Sequence, residues 1–143
     1  MPFEFLDDIA TADVAFRAWG ETIEEMFISA AEATMNVMVA DLEKIERSRK
    51  IDIDLNADEI DMLLFNLLQE IIFLKDAEQL LVRIEDVRIE CGDGTFSLTA
   101  AGWGDRIDPE RHELIVDVKA VTLHKYKVEQ TGNGWETFII LDI

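Results

Sequence analysis

The sequence predicts an α+β fold: a mostly antiparallel or mixed β-sheet with two α-helices packed on it. Three observations lead there. Two segments space their apolar residues as helices do, one from about Thr22 to Val39 and one following Asn56. The remaining patterned segments alternate with the period of a strand. Beyond Asp76 the strands follow one another through tight-turn sequences, which segregates the helices beside an antiparallel sheet. The 143 residues suit one domain, spanning 1–143, and neither an internal repeat nor a Pro/Gly/Ser linker divides them.

The elements are expected in this order. Thr11 to Trp19 alternates as a strand and Gly20 ends it. Thr22 followed by Glu25 is a capping-box pair, in which hydroxyl and carboxylate satisfy early helix amides. Ile23, Met26, Phe27, Ala30, Ala31, Thr34 and Met38 then recur at helical spacing. Asp41 to Arg49 is a charged connection or the beginning of a strand. In Lys50 to Leu55, Ile51, Ile53 and Leu55 alternate with Asp52 and Asp54, as in a strand with one wet face. Asn56, with Glu59 in the reciprocal position, is expected to cap the second helix. The apolar stripe of that helix is broad enough to be covered on more than one side. Leu80 to Glu90 and Thr95 to Trp103 read as a hairpin joined at Cys91-Gly92-Asp93-Gly94. Gly102, Gly104 and Pro109 suggest a longer loop up to about Glu113, and Leu114 to Glu129 one long strand or two. Thr131 to Gly134 is a turn, and Trp135 to Ile143 a last strand.

Composition excludes several functions. Asp and Glu number 31 against 13 Lys and Arg, a formal net charge of −18. Such a chain repels phosphate polyanions and anionic membrane surfaces, so neither direct nucleic-acid binding nor a membrane partner is expected. The charge confers solubility and suits a basic protein or a divalent cation. Cys91 is the only cysteine, which rules out an internal disulfide or a Cys-based zinc site and fits a reducing compartment. With no signal-peptide pattern and no apolar run near the roughly 20 residues that span a bilayer, a cytoplasmic protein is expected. There is no Gly-rich phosphate loop, no Gly-x-Ser-x-Gly elbow, and only His112 and His124 to serve a His-based cluster.

Among the many carboxylates two stand out. Asp13 interrupts a small, apolar strand opening, and Asp142 ends the run Phe138-Ile139-Ile140-Leu141. Aspartate is disfavoured in strands, so each carries a local cost. Folded side by side, with the main-chain carboxylate of Ile143, they would form a hard-oxygen cluster for Mg²⁺, Mn²⁺ or Ca²⁺. The plainer alternative is that both end strands in solvent, and the residues alone favour it. His124 falls in a strand with apolar face-mates, where a packed or hydrogen-bonded structural histidine is the preferred reading. Lys119, Lys125 and Lys127 are read onto the opposite face, as an edge-strand charge guard in preference to a basic patch.

At these same positions the chain resembles the archease family. The matching segments are Thr11-Ala12-Asp13-Val14, Trp19-Gly20 with Glu24-Glu25, Ala30-Ala31 to Val37-Met38, Leu63-Leu64 to Leu74, Val118-Lys119-Ala120-Val121-Thr122-Leu123-His124, and the closing Asp142-Ile143. They stand in family order and cover nearly the whole chain. Three positions depart from the pattern: Ala10 where histidine is common, Leu123 in place of an aromatic, and Lys75 where His or Arg is frequent.

The resemblance implies a compact sheet with two helices. It implies a protein that is not itself an enzyme but assists the RtcB-type RNA ligase of tRNA splicing. Archeases promote guanylylation of that ligase by GTP and so its multiple turnover. The resemblance further implies a metal ion held by Asp13, Asp142 and Ile143, calcium among the candidates. Lys119 and His124 are candidate partner-contacting residues nearby. The rival functions are a metal-dependent phosphoester hydrolase using the same carboxylates and a general chaperone-like interaction module.

Overall fold

The computed structural model describes residues 2–6 and 13–143. Its strands are β1 (Phe3–Leu6), β2 (Asp13–Gly20), β3 (Arg49–Ala57), β4 (Leu80–Gly92), β5 (Thr95–Arg106), β6 (Ala120–Thr131) and β7 (Gly134–Asp142). The helices are α1 (Ile23–Met38) and α2 (Ile60–Glu78). The expected α+β class holds, but the sheet is divided. One sheet runs β1-β2-β7-β6 and the other β3-β5-β4, and every pairing is antiparallel.

Both helices pack against strands of both sheets, and their composition follows from that position. Ten of the sixteen residues of α1 are buried, so its apolar surface is a wrap rather than a stripe. Ala30, Ala31 and Ala33 keep it slim. Its buried hydroxyls are satisfied locally: Ser29 Oγ donates to the Glu25 carbonyl and Thr34 Oγ1 to the Ala30 carbonyl, each at 2.9 Å. The hydroxyl half of the capping pair forms as expected, while the carboxylate reaches the amide before the cap rather than a helix amide. Thr22 Oγ1 accepts from the Glu25 amide at 3.1 Å, while the Glu25 carboxylate accepts from the Glu21 amide at 3.0 Å. The core joins Phe16 and Ile139 of one sheet to Ile53 and Leu98 of the other through Phe27, Met35, Leu64 and Leu68.

Several local expectations are corrected. Asn56 does not cap α2. It stays in β3 opposite Ser97, whose hydroxyl donates to Asn56 Oδ1 at 2.8 Å, and the cap falls to Glu59 without a side-chain bond. Strand pairing that runs on to Ala57 takes the residue from the helix. Gly102 and Gly104 lie inside β5 rather than in a loop. At Gly102 a Cβ would sit 2.0 Å from the Arg83 carbonyl oxygen, so the glycine admits close contact with the bulged β4.

The segment from Leu114 to Lys119 precedes β6 instead of belonging to it, apart from one bridge between Leu114 and Val39. β1 was not read as a strand, although Phe3, Glu4 and Phe5 alternate. The hairpin at Asp93-Gly94 is as expected, with both residues at positive φ (53° and 75°). The expected start of the first strand at Thr11 lies outside the described residues.

Candidate metal centre

Asp13 and Asp142 meet because β2 and β7 run antiparallel along their whole length. The register that seats Phe16 opposite Ile139 in the core sets Asp13 directly opposite Asp142 at the end of the ladder. A directly opposed pair has its Cβ atoms about 4.5–5.5 Å apart, and two like charges so placed repel. Both residues are half-buried. Among the described residues neither has a basic side chain within ion-pairing distance. Ile143 follows Asp142 in the chain, and its side chain packs against the core.

On the other side of β7, Ala120 pairs with Asp142, and the Lys119 amide donates to the Asp142 carbonyl at 2.8 Å. Two residues further in, the Thr122 hydroxyl is buried with no hydrogen-bond partner among the described residues. No three His, Cys, Asp or Glu side chains gather at one point among the described residues. A site here consists of two carboxylate side chains and main-chain oxygen. That donor set suits a hard divalent cation, which would also relieve the repulsion across the pair.

The structure overturns two readings of the neighbouring strand. β6 is bulged: Thr122 pairs with Ile140 but Lys127 with Phe138, so the segment 123–126 stands out of the ladder. Lys125 there has φ 56°, in the left-handed region. Alternation therefore fails across the bulge. His124 is exposed rather than packed among apolar face-mates, and Lys119, Lys125 and Lys127 do not form one row. β6 is an edge strand, and Lys127 pairs with Glu129 at 3.1 Å.

Two arrangements went unread. The first is Lys75, at the buried-face spacing set by Leu64, Leu68 and Ile71 and only 6% exposed. A lysine on an apolar stripe was the available signal. Its ammonium donates to the Val118 carbonyl at 2.8 Å and pairs with Asp76 at 2.7 Å and with Asp117. Burial alone would lower its pKa, but the two carboxylates outweigh burial and raise it.

The second is Asp105, which is 2% exposed. It accepts from the Glu46 amide at 2.9 Å, from Ser48 Oγ at 3.0 Å and from two Arg111 nitrogens at 2.9 and 3.2 Å. His112 Nε2 lies 3.0 Å away, and His112 Nδ1 accepts from the Asp108 amide, so the ring presents its proton to Asp105. Burial would push the Asp105 carboxyl up, but Arg111, the Glu46 amide, Ser48 and His112 hold it well below the usual carboxylate range. No spacing in the sequence foretold this network.

Comparison with known proteins agrees with the fold and the segment order. Residues 3–143 match the model of the Archease protein family (MTH1598/TM1083). The archease of Pyrococcus furiosus is 37% identical over 134 residues, covering 93% of this chain and 94% of the relative. That of Archaeoglobus fulgidus is 33% identical over 145 residues, covering both chains completely. The solution structure of Methanobacterium thermoautotrophicum protein 1598 superimposes with a TM-score of 0.85 at 33% identity, covering 99% of each chain. The crystal structure of a Thermotoga maritima archease, described as a possible chaperone, shares the fold at a TM-score of 0.52 and 18% identity over 98% of each chain. The chain belongs to the archease family.

Proposed function

We propose that this protein is a non-enzymatic accessory factor of an RtcB-type RNA-splicing ligase. It promotes guanylylation of the ligase by GTP and thereby multiple turnover in tRNA splicing. Asp13, Asp142 and main-chain oxygen of Ile143 hold a divalent cation: Ca²⁺, Mg²⁺ or Mn²⁺. The observation that carries the reading is the direct opposition of two half-buried aspartates, neither ion-paired to a basic side chain among the described residues.

The cation, when bound, neutralises the carboxylates and offers open coordination positions to oxygen ligands of the partner. The protein's own groups supply the rest. The β2–β7 ladder fixes the two carboxylates at one end of the sheet. Lys119, exposed beside Asp142, and His124, exposed on the β6 bulge, serve as partner-contacting groups. Nucleotidyl transfer to the ligase is a matter of positioning and charge stabilisation, which a docked carboxylate–cation tip can bias. The net charge of −18 favours docking on a basic protein surface over direct contact with RNA. No described helix is long and apolar enough to cross a membrane. The exposed thiol of Cys91 suits the reducing cytoplasm in which such a ligase works.

The test is guanylylation and multiple-turnover ligation by a purified ligase, with this protein or its Asp13→Ala and Asp142→Ala variants. Stimulation by wild type and its loss in both folded variants is expected. Undiminished stimulation by both would remove the cluster from the mechanism.

One observation favours a second reading, that of a general chaperone-like interaction module. Leu114, Ile115 and Val116 are consecutive and 39–54% exposed. Suppression of aggregation of unrelated proteins, abolished by polar substitution of Ile115, would favour it. Among the described residues the hydrolase reading finds no base or nucleophile with tuned neighbours beside the carboxylates, and no observation supports it.

A further inference from the structure

We propose that Lys75 is a positioning residue for the Asp13–Asp142–Ile143 cluster: by gripping the Val118 carbonyl it seats the Lys119 amide against the main chain of Asp142. The inference rests on the cation-site reading above and adds to it a residue from α2 that lies outside the cluster.

The argument begins at the β6 bulge. It leaves only three residue pairs, Ala120–Asp142, Val121–Leu141 and Thr122–Ile140, to tie the end of β7 to β6. β6 is an edge strand, and the segment feeding it is irregular from Ile115 to Lys119. A three-pair ladder on an edge, entered from irregular chain, would fray if nothing else held it.

α2 supplies the hold at two points. Gln69 Oε1 accepts from the Val121 amide at 2.9 Å. Lys75 Nζ donates to the Val118 carbonyl at 2.8 Å, and the next amide, that of Lys119, donates to the Asp142 carbonyl at 2.8 Å. The path from ammonium to ligand-bearing residue is thus two hydrogen bonds and one peptide unit.

The charge of Lys75 matters as well as its reach. Burying an ammonium is costly unless it is paired, and Asp76 and Asp117 pair it, with side chains 56% and 69% exposed. Asp117 adjoins Val118, so the ion pair and the carbonyl bond fasten the same stretch of chain. A neutral side chain of the same length fills the space but releases both.

The experiment titrates Mn²⁺ into wild type, Lys75→Met, Lys75→Arg and Asp13→Asn by calorimetry, well below each unfolding temperature. Asp13→Asn should lose the site. Lys75→Met should bind about tenfold more weakly, and Lys75→Arg, which restores a cation with several donors, should return to within about twofold of wild type.

Unchanged affinity in Lys75→Met overturns the inference and leaves the cation site standing. Equal loss in Lys75→Met and Lys75→Arg also overturns it, since any disturbance of the core would then suffice. Equal affinity, or equal absence of binding, in wild type and Asp13→Asn instead removes the cation site itself, and the inference falls with it.

Should Lys75→Met not fold, linkage gives a measurement on wild type. Saturating Ca²⁺ should slow hydrogen exchange of the Lys119 amide severalfold. Unchanged exchange at that amide, with Ca²⁺ bound, counts against the proposal.

Discussion

Two places in this molecule hold aspartate in or near the protein interior, and they treat it oppositely. Asp105 is surrounded by donors: a backbone amide, a hydroxyl, a guanidinium and an imidazole. Asp13 and Asp142 face each other with no basic partner among the described residues. The first carboxylate is satisfied and has nothing left to offer. The second pair retains its lone pairs and its repulsion. Carboxylate chemistry alone therefore does not mark a site. The mark is carboxylate that the fold brings together and leaves uncompensated.

This contrast can be broken most sharply at Asp105. Asp105→Ala should cost about 3 kcal/mol in urea unfolding at neutral pH, because it strands buried donors and one side of an ion pair. It should leave cation affinity unchanged. A loss under about 1 kcal/mol would mean the network holds little.

The next effect belongs to the other place. Ca²⁺ or Mn²⁺ at a hundred times its Kd should stabilise wild type by about 2.7 kcal/mol, and Asp142→Asn not at all. Equal stabilisation of both would move the cation elsewhere.

Acid separates the two further. The folded Asp105 titrates below its ordinary value of 3.8, so its stabilising contribution is present above that value. The contribution drains away as the pH falls through the folded value. Wild type should therefore lose stability between about pH 4 and pH 2 more steeply than an Asp105→Asn variant, by urea unfolding at each pH. Parallel slopes would contradict the pairing.

The smallest effect is the most telling. With EDTA present, Asp13→Asn should be neutral or stabilising by a few tenths of a kcal/mol, since it removes a like-charge pair. Destabilisation above 1 kcal/mol would make Asp13 a structural group like Asp105.

The candidate site was legible in the sequence where its residues carried a visible cost. Asp13 and Asp142 stood out because aspartate is expensive in a strand, and because the first interrupts an apolar stretch and the second ends one. Lys75 carried the same kind of signal, a charge on an apolar helical face, but its partners Asp117 and Val118 lie some forty residues on, where no local pattern points. His124 misled, because alternation was assumed across a strand that bulges. Asn56 misled because a good helix cap is also a good cross-strand hydrogen-bonding residue, and β3 continues through it.

By itself the sequence determined the class of fold, the two helices, the capping of the first, the hairpin turns and the acidic surface. These rest on propensity and periodicity, which act within a few residues. The tertiary structure alone decided that the sheet divides around the helices, that β6 bulges and that Asp105 is enclosed by donors. It also decided which residue of β7 lies opposite Asp13. Each of those depends on register between strands distant in sequence, and register is set by the packing of the whole core rather than by any one segment.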